Sequence, residues 1–85
     1  MLKPLLLTAH AEVRTRTRKL RLEWIDGTAR NPDWTEPDPN DARLERRFRR
    51  IDDFGGRILR VVCEETGDAI RVISVMFDRN ARRKS

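Results

Sequence analysis

Arg57-Ile58-Leu59-Arg60-Val61-Val62-Cys63-Glu64, followed by Thr66-Gly67-Asp68 and the apolar run from Ala69 to Phe77, is the stretch that decides the fold. Leu59, Val61 and Cys63 alternate with Ile58, Arg60 and Val62, the two-residue period of a strand. Thr66-Gly67-Asp68 makes a tight hairpin turn. The run 69–77 is nearly continuous in apolar residues, so it reads as a strand that is central or covered on both faces.

Upstream, residues 44–51 alternate as well, with Leu44, Arg46 and Phe48 on one side and Arg43, Glu45, Arg47 and Arg49 on the other. Asp53 to Gly56 turns this strand into the next. A short strand near residues 34–36 adds an edge. Ahead of it the period changes from two to helical. Thr8 caps a helix running to about residue 20, with Ala9, Val13, Thr17 and Leu20 at helical spacing. A second helix over residues 22–30 places Leu22, Ile25 and Ala29 on one face; Gly27 weakens it, and Asn31-Pro32 ends it. The expectation is an α+β fold with two N-terminal helices packed on one face of a three- to four-stranded antiparallel sheet. Residues 1–78 form the single domain and residues 79–85 a basic C-terminal tail.

Of the 19 basic residues, 16 are arginine, and five of these lie between Arg43 and Arg50. Arginine and lysine carry equal charge, but only arginine offers a planar fork that grips phosphate or carboxylate bidentately. The bias points to phosphate, most simply a nucleic-acid backbone. GC-rich coding, which favours arginine codons, accounts for the same bias without a ligand. The net charge of +5 divides into −4 over residues 31–41 (Asp33, Glu36, Asp38 and Asp41, with no base) and +9 elsewhere. That acidic, proline-containing segment reads as a soluble connector; the alternative is that it lies against the basic face.

Single copies of cysteine and histidine exclude an intramolecular disulfide and a zinc site of ordinary spacing. No metal or cofactor is expected. Cys63 falls on the apolar side of its strand and reads as core. Leu5 to Leu7 are too short an apolar run for a leader or a membrane span, so the chain is expected to be cytoplasmic, with no membrane partner.

His10, Arg14 and Arg18 stand at i, i+4 and i+8, one slowly drifting stripe on the first helix. Two arginines four apart repel locally, and rules broken without local compensation tend to mark functional sites. An imidazole moves protons near neutral pH, and guanidinium groups stabilise charge developing on a phosphate. Arg47 and Arg49, with Arg60 on the neighbouring strand, are expected to form a second basic patch. Arg43, Arg47 and Arg49 are thus candidates for RNA contact; the competing reading is a solvated face paired with Glu45 and Glu64.

The segment Thr8-Ala9-His10-Ala11-Glu12-Val13-Arg14, with Arg18 and Leu20, resembles the opening motif of the bacterial family called domain of unknown function 4258. Asn31-Pro32-Asp33, Leu59-Arg60-Val61-Val62, and Val72-Ile73-Ser74-Val75 leading to Asp78-Arg79 continue the likeness in order. The departure is Lys19, where the family usually has glycine. The resemblance implies alliance with RelE- and BrnT-like toxins, hence a toxin-like, metal-independent endoribonuclease of a toxin–antitoxin type system. His10, Arg14, Arg18, Arg60 and Arg79 would be its catalytic residues, and RNA and an antitoxin protein its partners. The alternative is a non-catalytic basic module that binds RNA or an acidic protein partner. An exposed strand edge also allows a homodimer.

Overall fold

The structure is a computed structural model, described over residues 2–82. The hairpin that carries the sequence argument forms as β4 (Arg57–Glu65) and β5 (Ile70–Phe77), antiparallel, with Val61 opposite Val75. Thr66 closes its turn by donating its backbone N–H to the Ala69 carbonyl at 2.9 Å. On the other side of β4 lies β3 (Glu45–Ile51), also antiparallel, and β2 (Trp34–Pro37) forms the edge beyond it.

The expected all-antiparallel sheet of three or four strands is corrected here. The sheet is five-stranded and mixed, in the order β1-β5-β4-β3-β2. The extra strand is β1 (Leu5–Leu7), which pairs parallel to β5 with Leu5 opposite Ile70. It precedes both α1 (Ala9–Thr17) and α2 (Leu22–Arg30), so the helices are not the first elements. The cause is the far edge of β5, whose N–H and C=O groups need partners where they are buried. The chain just before α1 supplies them: the Ile70 amide donates to the Pro4 carbonyl and the Thr8 amide to the Val72 carbonyl, both at 3.0 Å.

Thr8 also seats α1 on the sheet. Its hydroxyl accepts from the Ala11 amide as an N-cap at 3.2 Å and donates to the Ile73 carbonyl at 3.2 Å. Ile73 is where β5 departs from strict pairing with β4, at the irregularity opposite Val62 and Cys63. The buried residue of α1 is Ala11, while Val13 is 51% exposed, so the helix turns a face other than Ala9–Val13–Thr17 toward the core. A methyl-sized side chain lets the helix backbone approach β5 closely.

α1 ends at Thr17, three residues short of the expected boundary. Lys19 is left-handed, with φ 55°, and the chain closes with Lys19 N–H to the Arg16 carbonyl at 3.2 Å and Leu20 N–H to the Thr15 carbonyl at 2.9 Å. This double closure normally places glycine at the left-handed position, because a Cβ there crowds the following carbonyl. Lys19→Gly is therefore expected to stabilise the fold by about 0.5–1 kcal/mol, the relieved strain exceeding the entropy glycine adds to the unfolded chain. A lower melting temperature for the variant would contradict this.

Ala11, Leu20, Ile25 and Ala29 share one core with Leu59, Val61, Cys63, Val72 and Val75. Both helices thus cover the same face of the sheet. Leu22, expected to join Ile25 and Ala29, is instead 59% exposed. Thr28 is fully buried, its hydroxyl satisfied by the Trp24 carbonyl at 2.7 Å. The C-terminal carbonyls of α2 are capped from the sheet: Arg47 donates to Ala29 O at 2.6 Å, and Arg49 donates to Gly27 O at 3.2 Å and Asn31 O at 3.0 Å. Guanidinium groups suit this place, since the end of a helix carries unpaired carbonyls and partial negative charge.

On the face that the helices leave uncovered, Trp34 stacks on Phe48 with ring centres 4.8 Å apart and planes 6° apart, leaving Phe48 buried. The acidic segment is not a free connector. It forms β2 against β3, Asp33 accepts from the Arg50 amide at 2.8 Å, and Asp38 and Asp41 pair with Arg46 and Arg43 at 3.5 and 2.9 Å. The −4 segment thus folds onto the arginine strand, where Asp38 offsets the charge of Arg46, and Asp41 that of Arg43 just ahead of it. The basic tail begins with Arg79 after β5, and residues 83–85 lie outside the described residues.

Candidate nucleic-acid interface

The arginines divide into two populations. Six on or beside the central strands have acidic partners: Arg43 with Asp41, Arg46 with Asp38, Arg47 with Glu45 and Glu65, Arg50 with Asp52, Arg60 with Asp78 and Arg71 with Glu64, while Arg49 of β3 is held by carbonyls. Arg47 is the most enclosed of these, its side chain 12% exposed. Desolvation works against its charge, but the hydrogen bonds it donates to Glu45 and Glu65 outweigh this and hold the guanidinium protonated. Glu65 in turn is kept below the usual carboxylate range by Lys3 and Arg47, and Asp41 by the side-chain hydrogen bond from Arg43.

Arg14, Arg18, Arg57 and Arg79 form the second population. Among the described residues none of them makes an ion pair. All four line one cleft of about 570 Å³ at the end of the sheet. α1 contributes Arg14 and Arg18 from its last turn and the residue after it. The short 3-10 turn Asp52–Phe54 and Gly55-Gly56 form one wall, and the end of β5 with Asp78 and Arg79 forms the other. Gly55 and Gly56 have φ 68° and 71°, the left-handed conformation that lets this wall turn sharply into β4. A Cβ on Gly56 would stand 2.7 Å from an Arg50 nitrogen.

The cleft's one acidic residue, Asp78, is already engaged. It accepts from Arg60 Nη1 at 3.1 Å and from the Asn80 amide at 2.9 Å. Four guanidinium groups in one hollow without a free carboxylate repel one another, and an anion relieves that repulsion. The floor is apolar, from Leu20, Val75 and Phe77.

Of the residues expected at a catalytic site, Arg14, Arg18 and Arg79 line this cleft together. His10 does not line it; it is exposed near the N-terminus of α1, one turn before Arg14. Arg60 points to the other face of the sheet, since it pairs with Phe48 across the strands, and it reaches the cleft through Asp78 and the Met76 sulfur. The expected patch of Arg47, Arg49 and Arg60 is therefore divided. Arg47 and Arg49 turn toward α2, Arg60 turns away, and Arg43, Arg47 and Arg49 are all held in intramolecular contacts. Arg57 was not among the expected residues. Its only signal was its place directly after Gly55-Gly56, which shows a turn but not where the turn is aimed.

Residues 7–77 match the model of the domain of unknown function DUF4258. The chain belongs to this family. No curated protein and no solved structure matches it. The cleft of this DUF4258 domain spans most of the matched region, from Arg14 in α1 to Phe77 in β5, with Asp78 and Arg79 just beyond it.

Two further groups bear on chemistry. Burial pushes the Cys63 thiol up to about 11, so it stays protonated and inert in the core. Among the described residues no group of three or more His, Cys, Asp or Glu side chains could hold a metal ion, and no helix is long and apolar enough to cross a membrane.

Proposed function

We propose that this DUF4258 domain binds RNA, holding the phosphate backbone in the arginine cleft. The observation that supports the reading is the contrast between two groups of arginines: Arg43, Arg46, Arg47, Arg50, Arg60 and Arg71 pair with acids of the same chain, while Arg14, Arg18, Arg57 and Arg79 stand together without acidic partners among the described residues. Contact through three or four guanidinium groups releases counterions, so log K should fall with log salt at a slope of about −2 to −3 on single-stranded RNA. Fluorescence anisotropy across a salt series measures this, and a flat profile rejects the reading.

A second reading, a toxin-like, metal-independent endoribonuclease paired with an antitoxin, is favoured by one specific observation. The chain's single histidine is exposed on the same helix as Arg14 and Arg18, one turn from the cleft. In attack by a neighbouring 2′-hydroxyl, an imidazole moves the proton while guanidinium groups meet the charge that grows on phosphorus-bound oxygen. His10→Ala is then expected to keep RNA affinity within about twofold and lower cutting of total RNA, with chelator present, by about 100-fold or more. Equal cutting by the variant removes His10 from the chemistry. RNA left whole by the unaltered protein leaves binding as the function.

A further inference from the structure

Phosphate binding calls for charge alone, yet this cleft also presents an open aromatic ring. Phe54 lines it and is 42% exposed. The ring is braced from behind: it stacks on Phe77 with centres 5.0 Å apart and planes 23° apart, and meets Trp24 at 5.4 Å. The Arg57 guanidinium lies 5.2 Å from the centre of Phe54 and 5.8 Å from that of Phe77. The next residue, Gly55, also lines the cleft, and apart from its chain neighbours nothing lies within 4 Å of where a Cβ on it would stand. A supported ring edged by a guanidinium is a platform for another flat π-system.

We infer that Phe54 and Arg57 form a stacking site for one unpaired nucleobase, which makes single-stranded RNA the ligand of the cleft. The inference rests on the phosphate-binding reading above and deepens it. Arg57 is engaged with the rings, so Arg14, Arg18 and Arg79 are left for the flanking phosphates. A base inside a duplex is already stacked on both faces and cannot lie on Phe54 without being extruded. An unpaired base has a free face, and stacking on an aromatic side chain is sequence-tolerant, so any single-stranded sequence qualifies.

The test uses the full chain and an RNA strand of about 12 nucleotides, free or annealed into a blunt duplex. One base of the strand is 2-aminopurine, whose emission is quenched by stacking. The free strand is expected to bind about 10-fold or more tightly than the duplex and to lose 2-aminopurine emission on binding. Phe54→Leu should weaken free-strand binding about 5- to 150-fold, the range that one lost stacking contact represents. Its duplex binding should change less than twofold, and Phe54→Trp should restore both affinity and quenching. Equal affinity for free strand and duplex, or absence of quenching with the unaltered protein, overturns the stacking site; neither result depends on a variant folding. Salt-dependent binding that Phe54→Leu leaves intact removes only the base platform. Failure of the unaltered protein to bind either RNA removes the phosphate reading as well.

Discussion

Arg14→Ala combined with Arg18→Ala is expected to weaken RNA binding about 10- to 100-fold near 0.1 M salt, while the melting temperature stays within a few degrees. Each guanidinium makes a charge-assisted contact at a solvent-facing site, worth about 1 kcal/mol after screening, and every 1.4 kcal/mol is tenfold in affinity. The salt slope should become shallower by about 1.4, since each lost phosphate contact removes about 0.7 on a single strand. Stability is spared because neither residue has an acidic partner among the described residues, and they stand four apart on α1, where like charges repel. Loss of the favourable position of Arg14 near the C-terminal end of the helix offsets part of that relief. Affinity and slope unchanged in the double variant would mean that RNA does not use this cleft.

Arg47→Ala should produce the opposite pattern. Its guanidinium bonds to Glu45 and Glu65 at 2.8 Å each and to the Ala29 carbonyl at 2.6 Å. It ties β3 to β4 and to the end of α2. Truncation would leave Glu45 without its cation, Glu65 with Lys3 alone and a helix-terminal carbonyl unpaired. Water reaches Glu45 and Glu65, which are 44% and 36% exposed, and this softens the loss to about 2–4 kcal/mol. For a domain of this size each kcal/mol moves the melting temperature by about 4–8 °C, so the drop is about 8–32 °C. RNA affinity, measured below the transition, should be unchanged. A variant that melts like the unaltered protein but binds RNA poorly would place Arg47 in the interface.

Arginine composition alone does not separate these two kinds of arginine. Five arginines between Arg43 and Arg50 look like the binding surface, but acidic side chains or carbonyls of the same chain engage each of them. Asp41 and Asp38 lie only two and eight residues from their partners along the chain, yet alternation shows only which side of a strand a residue takes, not what comes to lie over that side. The less conspicuous arginines, scattered from Arg14 to Arg79, are the ones left without acids around a single hollow. Leu5–Leu7 failed to register as a strand for a related reason: three residues cannot display a period, and the partner, Ile70 to Val72, is 65 positions away.

Local chemistry written into the chain was enough for the β4–β5 hairpin, the strand before it, the two helices, the N-cap at Thr8, the burial of Cys63 and the family motif. Periodicity, turns and capping act between near neighbours in sequence, and there the backbone geometry alone sets the pattern. The parallel edge strand, the pairing of acids with strand arginines and the gathering of Arg14, Arg18, Arg57 and Arg79 belong to the folded molecule alone. Those arrangements join segments up to 65 residues apart, and which charges end up neutralised is settled by sheet order and helix packing, quantities that no local pattern encodes.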